Sequence, residues 1–356
     1  MKRLHVLLIA ALLLAGGCTS GASSAGKPLE KLDLGSSRVG ESEREKAMSI
    51  IELAADSPTP VDRANAAQAA QELPTERAEV VLAKLLMDPD ARVRFSAAMS
   101  GGKMKLAEFE ALYRSMSTGE SPNGRVAGTY ALHEIGQQEG LEAFRELAKH
   151  ESPLVRANTV LVLGLIGGEE AAEILRPMRA DDDQEVRSAV AEALWRLGDE
   201  VGFRQLLGFA MHSDERLRWF ATSALPLHKD PRVHDLVVGR LSDTNPYVRL
   251  VAAGSLAKLE DNRGYPLLIE AADASPDTVQ LSGKPSLIER EIVAEQSRAL
   301  SAAALGDLGQ GKAGEVLGKL LDDNSPVVRI NAAAAVLRLP VRDAGDEAFP
   351  ASGGSR

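Results

Sequence analysis

Aromatic residues are scarce, at 4% of 356 positions, while Ala and Leu dominate long stretches. A sheet built from aromatic and β-branched side chains is therefore not expected, and closely packed helices are. Cys18 is the single cysteine, so no internal disulfide can form and stability has to come from packing. The apolar stretch at the start, 13 residues from Val6 to Cys18, is about two-thirds of the ~20 residues a spanning helix needs. Positive charge is also in deficit: 41 Lys and Arg face 51 Asp and Glu, for a net charge of −10. That excludes nonspecific binding to nucleic acid or to an anionic membrane surface, both of which need clustered bases. Nucleophile elbow, P-loop and dinucleotide fingerprint are all missing, and no cofactor is expected. What the chain does have, 44% hydrophobic and 26% charged residues, is the balance of a folded protein.

The first segment, "MKRLHVLLIAALLLAGGC", has a basic start at Lys2 and Arg3, an apolar centre and small residues before Cys18. It reads as a signal peptide. "LAGGC" resembles the lipobox of bacterial lipoproteins, with Ala15 where Leu is commoner. The resemblance implies cleavage before Cys18, lipidation of its thiol, and an anchor in the cell envelope, at an outer membrane facing the periplasm. The expected organisation is a signal peptide over 1–17, a Gly/Ser-rich flexible tether over 18–44, a folded array over 45–340 and a disordered tail over 341–356.

Arginine recurs at Arg63, Arg94, Arg125, Arg156, Arg187, Arg218 and Arg249, each interval being 31 residues, and again at Arg298 and Arg329. The one irregular interval, 49 residues, is one period plus an 18-residue insertion, about 273–290. Relative to most of these arginines, an apolar residue stands at −1, a small one at +3 and an apolar one at +7, as in Val155, Thr159 and Leu163. Those positions share one helical face. A second apolar stripe precedes each arginine, so every period holds two helices. One pair cannot bury both faces alone, but stacked pairs can, and the expected fold is an all-α solenoid of about nine helical hairpins.

The segments "DPDARVRFSAA" at Asp88, "DDDQEVRSAVAEALWRLG" at Asp181, "DTNPYVRLVAAGSLAKL" at Asp243 and "DNSPVVRINAAAAVLRL" at Asp323 resemble the HEAT-like repeats of the phycobilisome-lyase type. In that family the arginine and an acidic residue of the preceding turn form a ladder along the stack. Carried over, the partners of Arg94, Arg187, Arg249 and Arg329 are Asp88, Asp181, Asp243 and Asp323, with breaks where Ser57 and Gly119 stand instead. The arginines are read as structural, because a guanidinium can tie a carboxylate and turn carbonyls together.

The resemblance places the second helix of each pair on the concave side. Its outward positions carry Phe95, Met99, Tyr130, Leu154, Leu161, Arg216, Trp219, Tyr247 and Leu250. An apolar, aromatic-bearing stripe there reads as a groove for an envelope protein or peptide, with Trp219 and Tyr247 as anchors. The competing reading is that these side chains pack between repeats. A metal-dependent enzyme or accessory factor would centre on His228 and His234, which lie with Asp230 and Asp235 in "LHKDPRVHD". A third reading is binding of a cell-wall polymer. The expected function is a lipid-anchored scaffold, not an enzyme, and the array is expected to run ~90 Å along its curve.

Overall fold

The computed structural model describes residues 30–137, 141–281 and 285–342; the expected signal peptide, Cys18 and residues 343–356 lie outside them. The described residues form eighteen α-helices in nine hairpins. The first helices of the pairs are α1 (Glu41–Ala54), α3 (Thr75–Leu86), α5 (Glu110–Ser117), α7 (Glu142–Leu147), α9 (Gly168–Leu175), α11 (Glu200–Ala210), α13 (Pro231–Arg240), α15 (Tyr265–Ala272) and α17 (Ala313–Leu320). The second helices are α2 (Pro60–Ala69), α4 (Ala91–Lys103), α6 (Pro122–Glu134), α8 (Pro153–Ile166), α10 (Gln184–Arg196), α12 (Glu215–Ala224), α14 (Pro246–Lys258), α16 (Leu287–Leu308) and α18 (Pro326–Arg338).

Local chemistry starts the second helices. Pro122, Pro153, Pro246 and Pro326 stand at the first helical position, where a missing N–H costs nothing. Just before it, Asn245 accepts from the N–H groups of Tyr247 and Val248, and Asp90 does the same for Arg92. Gly309 ends α16 with φ of 60°, the left-handed cap that glycine adopts without strain.

Successive second helices touch directly along most of the array, whereas first helices lie mainly against second helices. The second helices therefore form the inner layer. Small residues bring them close: a Cβ on Gly102 would fall 2.7 Å from the Ala131 Cα of the next inner helix, and one on Gly164 2.9 Å from the Ala193 Cβ. At one seam the rule is broken. Trp195, at the position of Gly102 and Gly164, fills the space between α10 and the end of α12, and its indole N–H donates to the Leu225 carbonyl at 2.7 Å.

The array closes on itself. α18 packs against α1 and α2 just as an inner helix packs against the following hairpin elsewhere. Arg44 donates to the Leu337 and Leu339 carbonyls at 3.2 and 3.3 Å, and Arg338 reaches Glu72 at 3.4 Å. The curve along which the hairpins stack is thus a closed ring. Nine inner helices spaced about 8–10 Å apart place their axes on a circle of radius about 11–14 Å.

Residues 30–44 also depart from the expected flexible tether. Ser37 donates its N–H to the Gly309 carbonyl at 2.7 Å, Val39 to Pro340 at 3.1 Å, and the Leu32 N–H donates to the Asn262 side chain at 2.9 Å. Val39 is 1% exposed. The segment is held because the last hairpin offers backbone partners and an apolar seat, and Glu41 already begins α1. The insertion is part loop, part helix: α16 starts at Leu287, eleven residues before Arg298, so its C-terminal end lengthens the inner helix.

Candidate functional site

The repeat arginines bridge hairpins, but with a different register from the one expected. Seven of the nine guanidinium groups donate back to the carbonyls six and five residues earlier, as Arg94 does to Asp88 at 2.6 Å and Pro89 at 2.9 Å, while Arg298, which follows the insertion, donates to the Ala274 carbonyl at 2.7 Å. The carboxylate at that turn instead pairs with the arginine of the preceding hairpin. Arg63 binds Asp88 (2.6 and 2.9 Å), Arg156 binds Asp181 (2.7 and 2.7 Å), Arg218 binds Asp243 (2.9 and 2.9 Å) and Arg298 binds Asp323 (2.7 and 3.2 Å). Asp88, Asp181, Asp243 and Asp323 therefore serve the arginine 25 residues before them, not Arg94, Arg187, Arg249 and Arg329. The reason is geometric: a planar fork can hold its own turn with one edge and the neighbouring carboxylate with the other. The Arg156 guanidinium holds the Asp181 carboxyl below its ordinary range.

The groove residues separate into two groups. Phe95, Met99, Tyr130 and Leu250 are buried, at 6%, 1%, 2% and 7% exposure, and present no free surface. Closure is the physical cause, since curvature that brings the last hairpin onto the first also presses the inner faces together. Leu161, Trp219 and Tyr247 are half-buried, and Trp219 meets Tyr247 edge-on at 6.2 Å. Burial pushes the Tyr247 hydroxyl up to about 12. Arg216 turns back onto Asp214, the cap of its own helix, at 2.7 Å. Leu154 stands out at 59% exposure.

His228 and His234 are not brought to a common point. His228 lies edge-on to Trp195 at 4.8 Å and over Gly198. His234 Nε2 meets Asp261 at 2.8 Å, and Asp261 is also held by Arg263 at 2.7 Å. Burial pushes the Asp261 carboxyl up, but hydrogen bonds from Arg263 and His234 outweigh it and hold it well below the usual range. Asp230 caps α13. Among the described residues no group of three or more His, Cys, Asp or Glu is placed to hold a metal ion.

One set of residues was missed by reading each hairpin separately. Nine positions after the repeat arginine stand Glu72, Lys103, Glu134, Arg196, Lys258, Asp307 and Arg338, with Leu165 and Leu227 completing the nine. All are partly or fully buried and lie at the ends of the inner helices. Arg338 reaches both Glu72 and Asp307, at 3.4 and 3.5 Å, and burial pulls its affinity for the proton down against the attraction of Glu72. One turn deeper, Glu192 pairs with Arg196 at 3.1 Å; burial pushes its carboxyl up, opposed by Arg196 and by Lys258 two hairpins on. With four bases against three acids and Glu192, this belt carries no excess of either sign. Through Arg338 it ties α18 to α16 and to the residues that follow α2. Comparing the +9 column across all nine periods would have revealed it.

A family comparison agrees with stacked helical hairpins. The family described as HEAT repeats matches residues 109–195 and 203–283. The gap between those two stretches falls at the Trp195 seam. No curated protein matches the chain. Among solved structures, the complex of CpcE and CpcF of phycocyanin lyase from Nostoc sp. PCC7120 is 16% identical, covering 70% of this chain and 98% of that one, with a TM-score of 0.43. Human deoxyhypusine hydroxylase in complex with glycerol is 17% identical, covering 84% and 97%, with a TM-score of 0.35. The Escherichia coli protein YibA is 18% identical, covering 76% and 94%, with a TM-score of 0.33. At these identities the likeness concerns the fold alone. Residues 109–195 and 203–283 are thus HEAT repeats, within an all-helical solenoid whose remaining hairpins share their 31-residue period.

Proposed function

We propose that the protein is a lipid-anchored scaffold of the cell envelope that binds another protein on a preformed surface. The observation that supports it most is the closure of the ring. Inner helices in contact, a belt of paired charges and a first hairpin seated on the last leave a rigid body in place of a cleft that opens and shuts. Rigid surfaces lose little conformational entropy on binding, which favours a holding role. The groove reading is narrowed accordingly, because four of its residues are interior. Trp219, Tyr247, Leu161 and Leu154 stay as contact candidates.

Anchoring rests on the "LAGGC" segment and Cys18. Full-length protein with Cys18→Ser is expected to leave the membrane fraction and appear in the soluble envelope fraction. Persistence of the variant in membranes would count against lipidation. Crosslinking in intact cells, followed by capture of the wild type and of Trp219→Ala with Tyr247→Ala, tests the binding role. An unchanged set of crosslinked proteins would remove those two residues from it.

A further inference from the structure

Ring closure brings the ninth hairpin onto the first without the carboxylate that joins hairpins at four other seams. Arg329, the last repeat arginine, donates to its own turn at Asp323 and Asn324, at 2.6 and 3.0 Å. The turn that follows it around the ring lies between α1 and α2, and Ser57 stands there in the place of the aspartate. The equivalence shows in the backbone: Thr59 donates its N–H to the Ser57 hydroxyl at 3.2 Å, as Asp90 donates its own to the Asp88 carboxylate at 2.8 Å. Arg63, Arg156, Arg218 and Arg298 each turn Nε and Nη2 to a carboxylate. On Arg329 those two nitrogens have no acceptor among the described residues. The ladder also lapses after Arg94, Arg125, Arg187 and Arg249, where Gly119, His150, His212 and Ala274 stand. At the closing seam, however, the lapse coincides with a cavity of about 190 Å³ that Arg329 lines.

Asp62 is the second charge in the wall of that cavity. It stands one residue before Arg63, where most hairpins carry an apolar side chain, and it is 7% exposed. Its Oδ2 accepts from the hydroxyls of Ser57 and Thr59 at 2.8 and 2.5 Å, which leaves Oδ1 for a further donor. Among the described residues it has no cation at ion-pair distance, Arg329 included. A sheltered carboxylate without a cation costs stability, and an incoming ammonium offsets that cost. A guanidinium with two parallel donors unused is in turn a carboxylate receptor. The rest of the wall is apolar, from Ile50, Leu53, Ala54 and Ile330.

We propose that the seam cavity binds a free aliphatic α-amino acid. The α-carboxylate takes the Nε and Nη2 edge of Arg329, as Asp88, Asp181, Asp243 and Asp323 take that edge at their own seams. The α-ammonium donates to Asp62, and the side chain lies against Ile50, Ala54 and Ile330. Charge complementarity selects this class. A simple carboxylate would set a second anion beside Asp62, and a simple amine would leave Arg329 unengaged, whereas a zwitterion with both charges on one carbon meets both. Size agrees, since a cavity of ~150 Å³ holds the six carbons of benzene and this one is somewhat larger. Arg329 belongs to the ninth hairpin, and Asp62 and Ile50 to the first, so the ligand bridges the seam and stabilises closure by mass action. Such a site depends neither on the scaffold role nor on the lipid anchor.

Full-length protein is titrated calorimetrically with L-leucine, with L-leucinamide, which lacks the carboxylate, and with isocaproate, which lacks the ammonium. Leucine is expected to bind at least about tenfold more tightly than either analogue. L-Alanine, which leaves the apolar wall uncovered, should bind about tenfold more weakly than leucine as well. In Arg329→Gln leucine should lose its advantage over leucinamide, and in Asp62→Asn its advantage over isocaproate. Asparagine can still accept from Ser57 and Thr59, so the second variant keeps the turn intact. Arg94→Gln loses the same contacts to its own turn, away from the cavity, and should bind leucine as the wild type does. Leucine should also slow hydrogen exchange in α1 and α18 more than in α8 and α10. No binding of leucine by the wild type at millimolar concentration overturns the assignment, as does an analogue that matches leucine. Wild-type discrimination in both Arg329→Gln and Asp62→Asn, or protection confined to α8 and α10, overturns it too.

Discussion

Replacing Arg156 by leucine removes two hydrogen bonds of 2.7 Å to Asp181 and leaves that carboxylate, with a side chain only 8% exposed, without its cation. Breaking a buried pair costs about 3–5 kcal/mol, and because solvent reaches the rim of this one the expected loss is about 3 kcal/mol. Arg94 is the matched control. It makes the same contacts to its own turn, but the next hairpin offers Gly119 where the one after Arg156 offers Asp181. Arg94→Leu should therefore cost about 1–2 kcal/mol, the worth of hydrogen bonds alone. Urea unfolding monitored by circular dichroism, at unchanged slope, measures both. The gap also has a sign in pH. Because Arg156 depresses the Asp181 carboxyl, the contribution is complete above the unfolded aspartate value and disappears as pH falls through the lowered folded one. The two variants should differ at neutral pH and converge progressively below about pH 4. Equal losses at neutral pH would refute the cross-hairpin ladder and leave the arginines as turn clamps only.

Other outcomes follow from the packing. Gly102→Ala pushes a methyl into the Ala131 backbone and should cost about 1–3 kcal/mol, whereas Gly208→Ala, with nothing within 4 Å, should stabilise by about 0.5–1 kcal/mol; thermal melts distinguish them. Arg338→Met strips Glu72 and Asp307 of their shared partner, so hydrogen exchange should speed up in α1 and α18 before it does in α8 and α10. Trp195→Ala empties a side chain that is 1% exposed and bonded to Leu225, and a loss of about 3–5 kcal/mol in urea unfolding is expected.

Much of this architecture could be read along the chain. The period of 31, the apolar positions around Arg156 and the prolines at 122, 153, 246 and 326 specify nine helical hairpins, because each signal acts within one or two turns of backbone. The candidate site was far less legible. Phe95 and Met99 occupy outward positions of an isolated helix, yet both are interior, since the curvature of the ring presses the inner faces together. The acid that binds Arg156 stands 25 residues ahead of it, not six behind. Local spacing could locate both groups and could not match them.

By itself, then, the sequence determined the number of hairpins, the two faces of each helix and the caps that start them. Tertiary structure decided that the array closes. Closure needs about 40° of turn at every step, a small angle set by how nearly inner helices approach at Gly102, Gly164 and Gly306 and how far Trp195 holds one pair apart. No single repeat contains that sum. It exists only when the ninth hairpin meets the first, and that meeting buries the expected groove.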